Sequence, residues 1–248
     1  MKLEKEKISR LSGIDNVTVC DLTDSTNTQA KRLAREGAPL PLLFCSEAQT
    51  AGRGRLGRSF YSPPGSGLYM SLAFRSDKEM SDAVTLTSAA AVAVCRSLEE
   101  LGVGNALIKW VNDIYIDDKK VCGILCEAVH LEKAVIIIGI GINCTTKDFP
   151  EDISSVAGSV GSLDRSTLAA SVAKKLLDYK DNAESRPWMD EYRGRSLVLG
   201  ENINYTENGI TRSARAVDID ANGGLMVEEK GEIKTLSTGE ITVRLRKD

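Results

Sequence analysis

The 248-residue chain predicts an α+β domain over residues 1–194 followed by a small all-β barrel over residues 195–248. Two textures carry that division. Up to about residue 190, segments of helical period alternate with apolar, branched runs; after Arg195, short alternating runs separated by Asn222-Gly223-Gly224 and Lys230-Gly231 take over. The length allows one large domain plus one small, and a chain of this size buries roughly three quarters of the surface its unfolded form exposes. Hydrophobic residues at 42% and charged residues at 27% are ordinary globular values and exclude wholesale disorder.

Each element follows from local chemistry. Asp24-Ser25-Thr26-Asn27 supplies capping side chains ahead of Ala30, Leu33 and Ala34, and Gly37 stops the turn, so a short helix is expected over Thr26–Glu36. Leu40–Ser46 is an apolar run among prolines and reads as a buried strand. Glu47–Gly67, with its Gly, Arg, Ser and Pro63-Pro64, is a long loop; loops beyond about a dozen residues are usually functional or disordered. Leu68, Met70, Leu72 and Phe74 alternate with Tyr69, Ser71, Ala73 and Arg75 in the two-residue period of a strand. The alanine-rich Ala83–Leu101, closed by Gly102, is a core helix. Short strands follow at Ala106–Trp110, Ile114–Ile116 and Val121–Cys126, with Asp117–Lys120 as the turn between the last two. Ala134–Ile142 is a strongly branched strand that either lies buried or pairs across a dimer. Ser166 is expected to cap a long helix with Leu168, Val172, Leu176 and Leu177 on one face. Ala214–Asp220 and Leu225–Glu228 are hairpin strands of the barrel.

Composition narrows the partners. Lys plus Arg is 32 against Asp plus Glu at 35, a net charge of −3, so whole-molecule charge offers no attraction to nucleic acid or anionic lipid. Six cysteines (Cys20, Cys45, Cys95, Cys122, Cys126 and Cys144) are dispersed with no C-x-x-C pair and read as buried free thiols in a reducing compartment. The charged start, Met1 to Ile8, has no signal-peptide core, and no apolar stretch approaches the roughly 20 residues of a spanning helix. A cytoplasmic protein without nucleic-acid or membrane partners is expected.

The most informative segment is Gln49-Thr-Ala-Gly-Arg-Gly-Arg-Leu-Gly-Arg58. It matches G-x-G-x-x-G literally, but Pro63-Pro64 blocks the helix that a dinucleotide fingerprint opens. What it offers is Arg53, Arg55 and Arg58, able to grip phosphate or carboxylate oxygens, on glycines whose N–H groups could form an anion nest. A solvated flexible loop is the bland reading, and a single-stranded RNA contact using Phe60 and Tyr61 is a rival. Lys109 sits between an apolar strand and Asn112-Asp113, either as a fixed positive charge or as a surface lysine packed on Trp110. Gly123, Gly139 and Gly141 lie inside strands, where glycine marks a close approach or, more simply, a bulge. His130 is the single histidine, so neither a Ser-His-Asp triad nor a histidine-based metal cluster can be assembled.

In order, Asp24-Ser-Thr-Asn27, Gln49–Arg58, Ser62-Pro63, Gly67–Ser71, Lys109-Trp-Val-Asn-Asp-Ile-Tyr115, Gly123-Ile-Leu125 and Gly139-Ile-Gly-Ile-Asn143 resemble the biotin protein ligase family, also called biotin-[acetyl-CoA-carboxylase] ligase. The match is strong from about Thr23 to Asn143 and follows the layout of the family over the rest. The resemblance implies a class II synthetase-like catalytic domain, a mixed sheet with helices mainly on one face, and an SH3-like barrel. It implies activation of biotin by ATP to biotinyl-5′-AMP, then transfer to a lysine of the biotin carboxyl carrier domain of a biotin-dependent carboxylase. ATP and biotin are then substrates, and magnesium is expected with ATP; Asp113 and Glu127 are the acidic candidates near it, a structural role being the better reading of both.

By the same resemblance Ser25, Thr26, Asn27 and Gln49 line the biotin site, and Arg53, Gly54 and Arg55 hold its carboxyl end. Lys109 bridges carboxylate and α-phosphate and, with Arg55, is catalytic; Arg53, Arg55, Arg58, Phe60, Lys109, Gly141 and Asn143 meet the nucleotide. Two positions depart from the family's usual pattern. Val111 replaces a common proline, which loosens the turn after Lys109, and Phe60 stands where a tryptophan often packs on adenine. The match begins at Asp24 with no DNA-binding helix-turn-helix before it, so no operator binding and no repressor role are expected. Lipoate or octanoate ligases share the catalytic fold and give the alternative enzyme; a non-enzymatic biotin- or RNA-binding module is the alternative of another class.

Overall fold

Two elements that sequence reasoning left unassigned open the chain: helix α1 (Lys5–Ser12) and strand β1 (Asn16–Cys20). The computed structural model describes residues 2–76, 83–207, 209–237 and 242–245. Helix α2 (Thr26–Arg35), β2 (Leu42–Ser46), β3 (Gly67–Arg75) and α3 (Ala83–Glu100) follow, then β4 (Leu107–Lys109), β5 (Asp113–Ile116), β6 (Lys119–Val129) and β7 (Val135–Asn143). The short α4 (Glu151–Ser154), the long α5 (Arg165–Asp181) and α6 (Met189–Gly194) complete the first part.

These strands form one seven-stranded sheet in the order β1-β2-β3-β7-β6-β5-β4, mixed because β1 and β2 run parallel while every other neighbour is antiparallel. The branched strand β7 lies inside it between β3 and β6, so the option of pairing across a dimer is removed. Its alternation sorts the two faces. Ile136, Ile138, Ile140 and Ile142 pack into the main core with α1, α3 and α5, while Val135 and Ile137 join Ala30 and Ala34 of α2 on the other side. Helices α1, α3 and α5 therefore lie on one face, and α2 packs on the opposite face, which it shares with Gly139 and Gly141. Neither glycine sits at a bulge, for β7 stays in unbroken register with both β3 and β6.

The cap of α5 is Asp164 rather than Ser166: its carboxylate accepts from Ser166 N and Thr167 N at 3.0 and 3.1 Å. Residues 195–197 continue along β4, with Ile108 N donating to Arg195 O at 2.7 Å. A second, antiparallel sheet then begins: β8 (Asn202–Glu207), β9 (Ile210–Ile219), β10 (Leu225–Glu229), β11 (Glu232–Leu236) and β12 (Thr242–Leu245), in the order β11-β10-β9-β8-β12. This is the small C-terminal β unit; its expected end at Asp248 lies outside the described residues. No helix among the described residues is long and apolar enough to cross a membrane.

Candidate functional site

The long loop is a hairpin. Gln49 N donates to Ser62 O, Phe60 N to Gly52 O and Gly54 N to Arg58 O at 3.2, 2.9 and 2.7 Å. A 3-10 turn, Arg55–Gly57, forms the tip, with Leu56 and Gly57 at φ of 56° and 72°. Gly52 lets the two arms close: a Cβ there would lie 2.3 Å from Phe60 O. The Gly54 N–H is engaged within the hairpin, so the anion nest expected from these glycines does not use it. What the hairpin presents is guanidinium groups.

Those groups meet a cavity of about 300 Å³ lined by Arg53, Gly54, Arg55, Arg58, Phe60 and Lys109, with Lys120 opposite and Asp113 as the acidic member. The family comparison had not singled out Lys120; its Nζ lies 2.7 Å from Asp113 Oδ1. Arg55 donates to Asn112 Oδ1 at 3.1 Å, and Asn112 Nδ2 in turn donates to Ile124 O at 3.0 Å, fastening the hairpin to β6. Burial lowers the Arg55 pKa, and the neighbouring Asp113 opposes that shift. Lys109 Nζ stands 5.5 Å from the centroid of the Tyr115 ring, whose hydroxyl is pushed up to about 12 by burial and by Asp113.

The segment after Lys109 is tied rather than loose at Val111. Tyr192 Oη, fully buried, donates to Val111 O at 3.0 Å, and Trp110 Nε1 donates to Gly223 O at 2.9 Å. The Trp110–Val111 peptide is cis.

A second, smaller cleft of about 20 Å³ adjoins the first and is lined by Ser25, Thr26, Asn27, Gln49, Arg53, Phe60, Gly123, Leu125, Gly139 and Gly141. Its floor is glycine by necessity. A Cβ at Gly139 would lie 2.1 Å from Asn27 Oδ1, and one at Gly141 would lie 2.5 Å from the Phe60 ring. Gln49 Oε1 accepts from Thr26 N at 2.8 Å, so a loop side chain caps the start of α2. Ser71 Oγ, with no exposure, donates its one hydrogen to Asn27 Oδ1 at 2.6 Å and lies 2.8 Å from Thr26 Oγ1. Phe60 and Arg53 line both spaces and mark their junction.

Behind that junction stands Glu127 of β6. It ion-pairs with Lys31 and with Arg53 (3.1 Å) and accepts from Asn27 Nδ2 at 2.9 Å. Burial raises its pKa, but hydrogen bonds from Lys31 and Asn27 and the charges of Lys31 and Arg53 outweigh burial, so the carboxyl sits below its ordinary value. Among the described residues no three His, Cys, Asp or Glu side chains gather into a metal cluster.

The structure thus brings Ser25, Thr26, Asn27, Gln49, Arg53, Gly54, Arg55, Arg58, Phe60, Lys109 and Gly141 to two adjoining spaces. Asn143 is outside both linings: it is buried at the end of β7, and its Nδ2 donates to Gly158 O at 3.0 Å. Ser71, Asn112 and Lys120 were missed as site residues, and Glu127 was named only as an acidic candidate near magnesium with a structural role the better reading; here it pairs with Lys31 and Arg53. Ser71 and Glu127 carried a signal, the inward side of strands whose opposite side is apolar.

Comparison with known proteins follows the same map. The sequence profile of the biotin/lipoate A/B protein ligase family matches residues 19–143, and that of the biotin protein ligase C-terminal domain matches residues 198–244. The bifunctional ligase/repressor BirA of Bacillus subtilis is 34% identical over 234 residues, covering 89% of this chain and 72% of that protein. The biotin-[acetyl-CoA-carboxylase] ligase of Mycobacterium tuberculosis is 29% identical over 264 residues, covering 98% of this chain and 94% of that protein. The biotin protein ligase from Aquifex aeolicus in complex with biotin and ATP superposes with a TM-score of 0.82 at 26% identity, covering 94% of this chain and all of that one.

Proposed function

The chain belongs to the biotin protein ligase family, and from that premise we propose how its two adjoining spaces divide the work of making biotinyl-5′-AMP and passing biotin to a carrier lysine. The observation that carries this division is the convergence of Arg53, Arg55, Arg58 and Lys109 on one cavity that opens beside a cleft walled by Ser25, Thr26, Asn27 and Gln49. The cleft takes the ureido ring; the cationic cavity takes the triphosphate. Biotin's carboxylate then lies at the junction, where Arg53 and Phe60 belong to both.

The chemistry is a meeting of two anions. A carboxylate oxygen attacks the α-phosphorus, the bond to the β-phosphate oxygen breaks, and pyrophosphate leaves. Lys109 and Arg55 lower the repulsion on approach and stabilise the charge that gathers on the α-phosphoryl oxygens. In the second step a carrier lysine amine attacks the acyl carbon, AMP leaves as the anion, and the amine loses its proton. No protein nucleophile is needed in either step. The cleft as it stands holds about one water, so entry of the ring requires Phe60 to swing off Gly141. Closure of the hairpin over the mixed anhydride then shields it from water.

Magnesium belongs to the triphosphate as part of that substrate, and no protein ligand is assigned to it. The acceptor is a biotin carboxyl carrier domain, and residues 1–194 form the ligase unit with 195–248 as its C-terminal module. Incubating the protein with biotin, ATP, magnesium and a carrier domain should add one biotinyl group to a single lysine by mass spectrometry. An unmodified carrier, from protein shown to be folded, would contradict the proposal.

A further inference from the structure

The carboxylate of Glu127 reaches into the smaller cleft through a second residue. Asn27 Nδ2 has two hydrogens and two acceptors, Glu127 Oε2 at 2.9 Å and Leu125 O at 3.3 Å. Its Oδ1 receives the Ser71 hydroxyl at 2.6 Å. The amide is therefore pinned in one sense, its donors on β6 and its Oδ1 over Gly139, which also lines the cleft, with one lone pair beyond the Ser71 bond. Lys31 and Arg53 approach the same carboxylate from α2 and from the hairpin, with Arg53 Nη1 3.2 Å from Oε2. They compensate its charge at a site where the side chain is 17% exposed.

We propose that Glu127 is a positioning residue that sets the specificity of the acid site: it fixes Asn27 so that the cleft accepts a ring bearing N–H donors and rejects an acid of similar length whose ring has none. This inference rests on the reading of the smaller cleft as the site of the acid. A ureido ring supplies the N–H that Asn27 Oδ1 can accept, whereas a dithiolane ring supplies none. Arg53 is held by the same group at the junction of the two spaces, so one carboxylate aligns recognition of the ring with the place where the acid reacts.

The isosteric change Glu127→Gln tests the orientation. A glutamine has a single acceptor atom, and Lys31 and Arg53 both claim it; its Nε2 then faces Asn27 Nδ2, donor against donor, and Asn27 must turn over. In ATP–pyrophosphate exchange with the full chain, the Michaelis constant for biotin should rise about tenfold, as expected when a hydrogen bond within a charged network is lost. The Michaelis constant for ATP should stay within twofold, and the preference for biotin over lipoate should shrink by a factor similar to the rise for biotin. Ser71→Ala, which removes the pin from the other end of the amide, should shift the biotin constant in the same direction and carries the test if Glu127→Gln does not fold. A biotin constant within twofold of wild type, or biotin and ATP constants rising together, would overturn the proposal. Absence of biotin-dependent exchange in the wild type would instead overturn the assignment of the cleft.

Discussion

Lys109 shows how one side chain acquires a role from its supports. It ends a three-residue strand, its ammonium lies over the Tyr115 ring, and it lines the cationic cavity with three arginines. Replacing it by alanine should slow adenylate formation about a hundredfold or more, the scale of losing one preorganised charge-stabilising group. Unfolding midpoints should move little, because the residue is only half-buried. Wild-type exchange rates in Lys109→Ala would remove Lys109 from the site. The place of this lysine on the cavity was legible because Lys-Trp-x-Asn-Asp is a specific string. Asn143 was named from the less specific Gly-Ile-Gly-Ile-Asn string, and its amide Nδ2 holds Gly158 O at 3.0 Å; a motif gives a residue's place in the fold, not the rotamer of its side chain.

At the scale of elements, strand β7 explains why the site sits where it does. Its even-numbered isoleucines face the helical layer, and its odd-numbered glycines leave room for Asn27 and Phe60 on the other side. Strand alternation and the glycines were both readable in the sequence. Whether the glycines served a bulge or a close approach was not, because that depends on α2 and the hairpin crossing the same face. Gly139→Ala should therefore abolish biotin binding while leaving the sheet in place: the added methyl falls 2.1 Å from Asn27 Oδ1, a side-chain and not a backbone atom, and must force that amide out of its bonds to Ser71 and Glu127. Isothermal titration with biotin, alongside circular dichroism, checks this; undiminished binding would mean that the cleft lies elsewhere. Helix α1 and strand β1 were not legible at all. The helix is eight residues, half of them charged, with only Ile8 and Ser12 buried, too few apolar positions to stand out from a solvated tail.

At the scale of the molecule, the second sheet is braced against the catalytic segment. The turn between β9 and β10 receives Trp110 Nε1 at Gly223 O, 2.9 Å, and Arg193 Nε at Ile219 O, 2.7 Å, while Tyr192 holds Val111 O from beneath. The change of texture after Arg195 revealed the module but not this joint, whose Trp110–Gly223 bond pairs residues more than a hundred positions apart. Tyr192→Phe leaves the buried Val111 carbonyl without its donor and should cost about 1–3 kcal/mol in chemical denaturation; an unchanged midpoint would mean that this bond does not hold the segment after Lys109. On the proposed division, the two adjoining spaces join biotin to ATP. ATP–pyrophosphate exchange with biotin, lipoate or no acid tests it most directly. Exchange that requires biotin is the predicted result; exchange with lipoate in place of biotin, or none from folded protein supplied with magnesium, would contradict it.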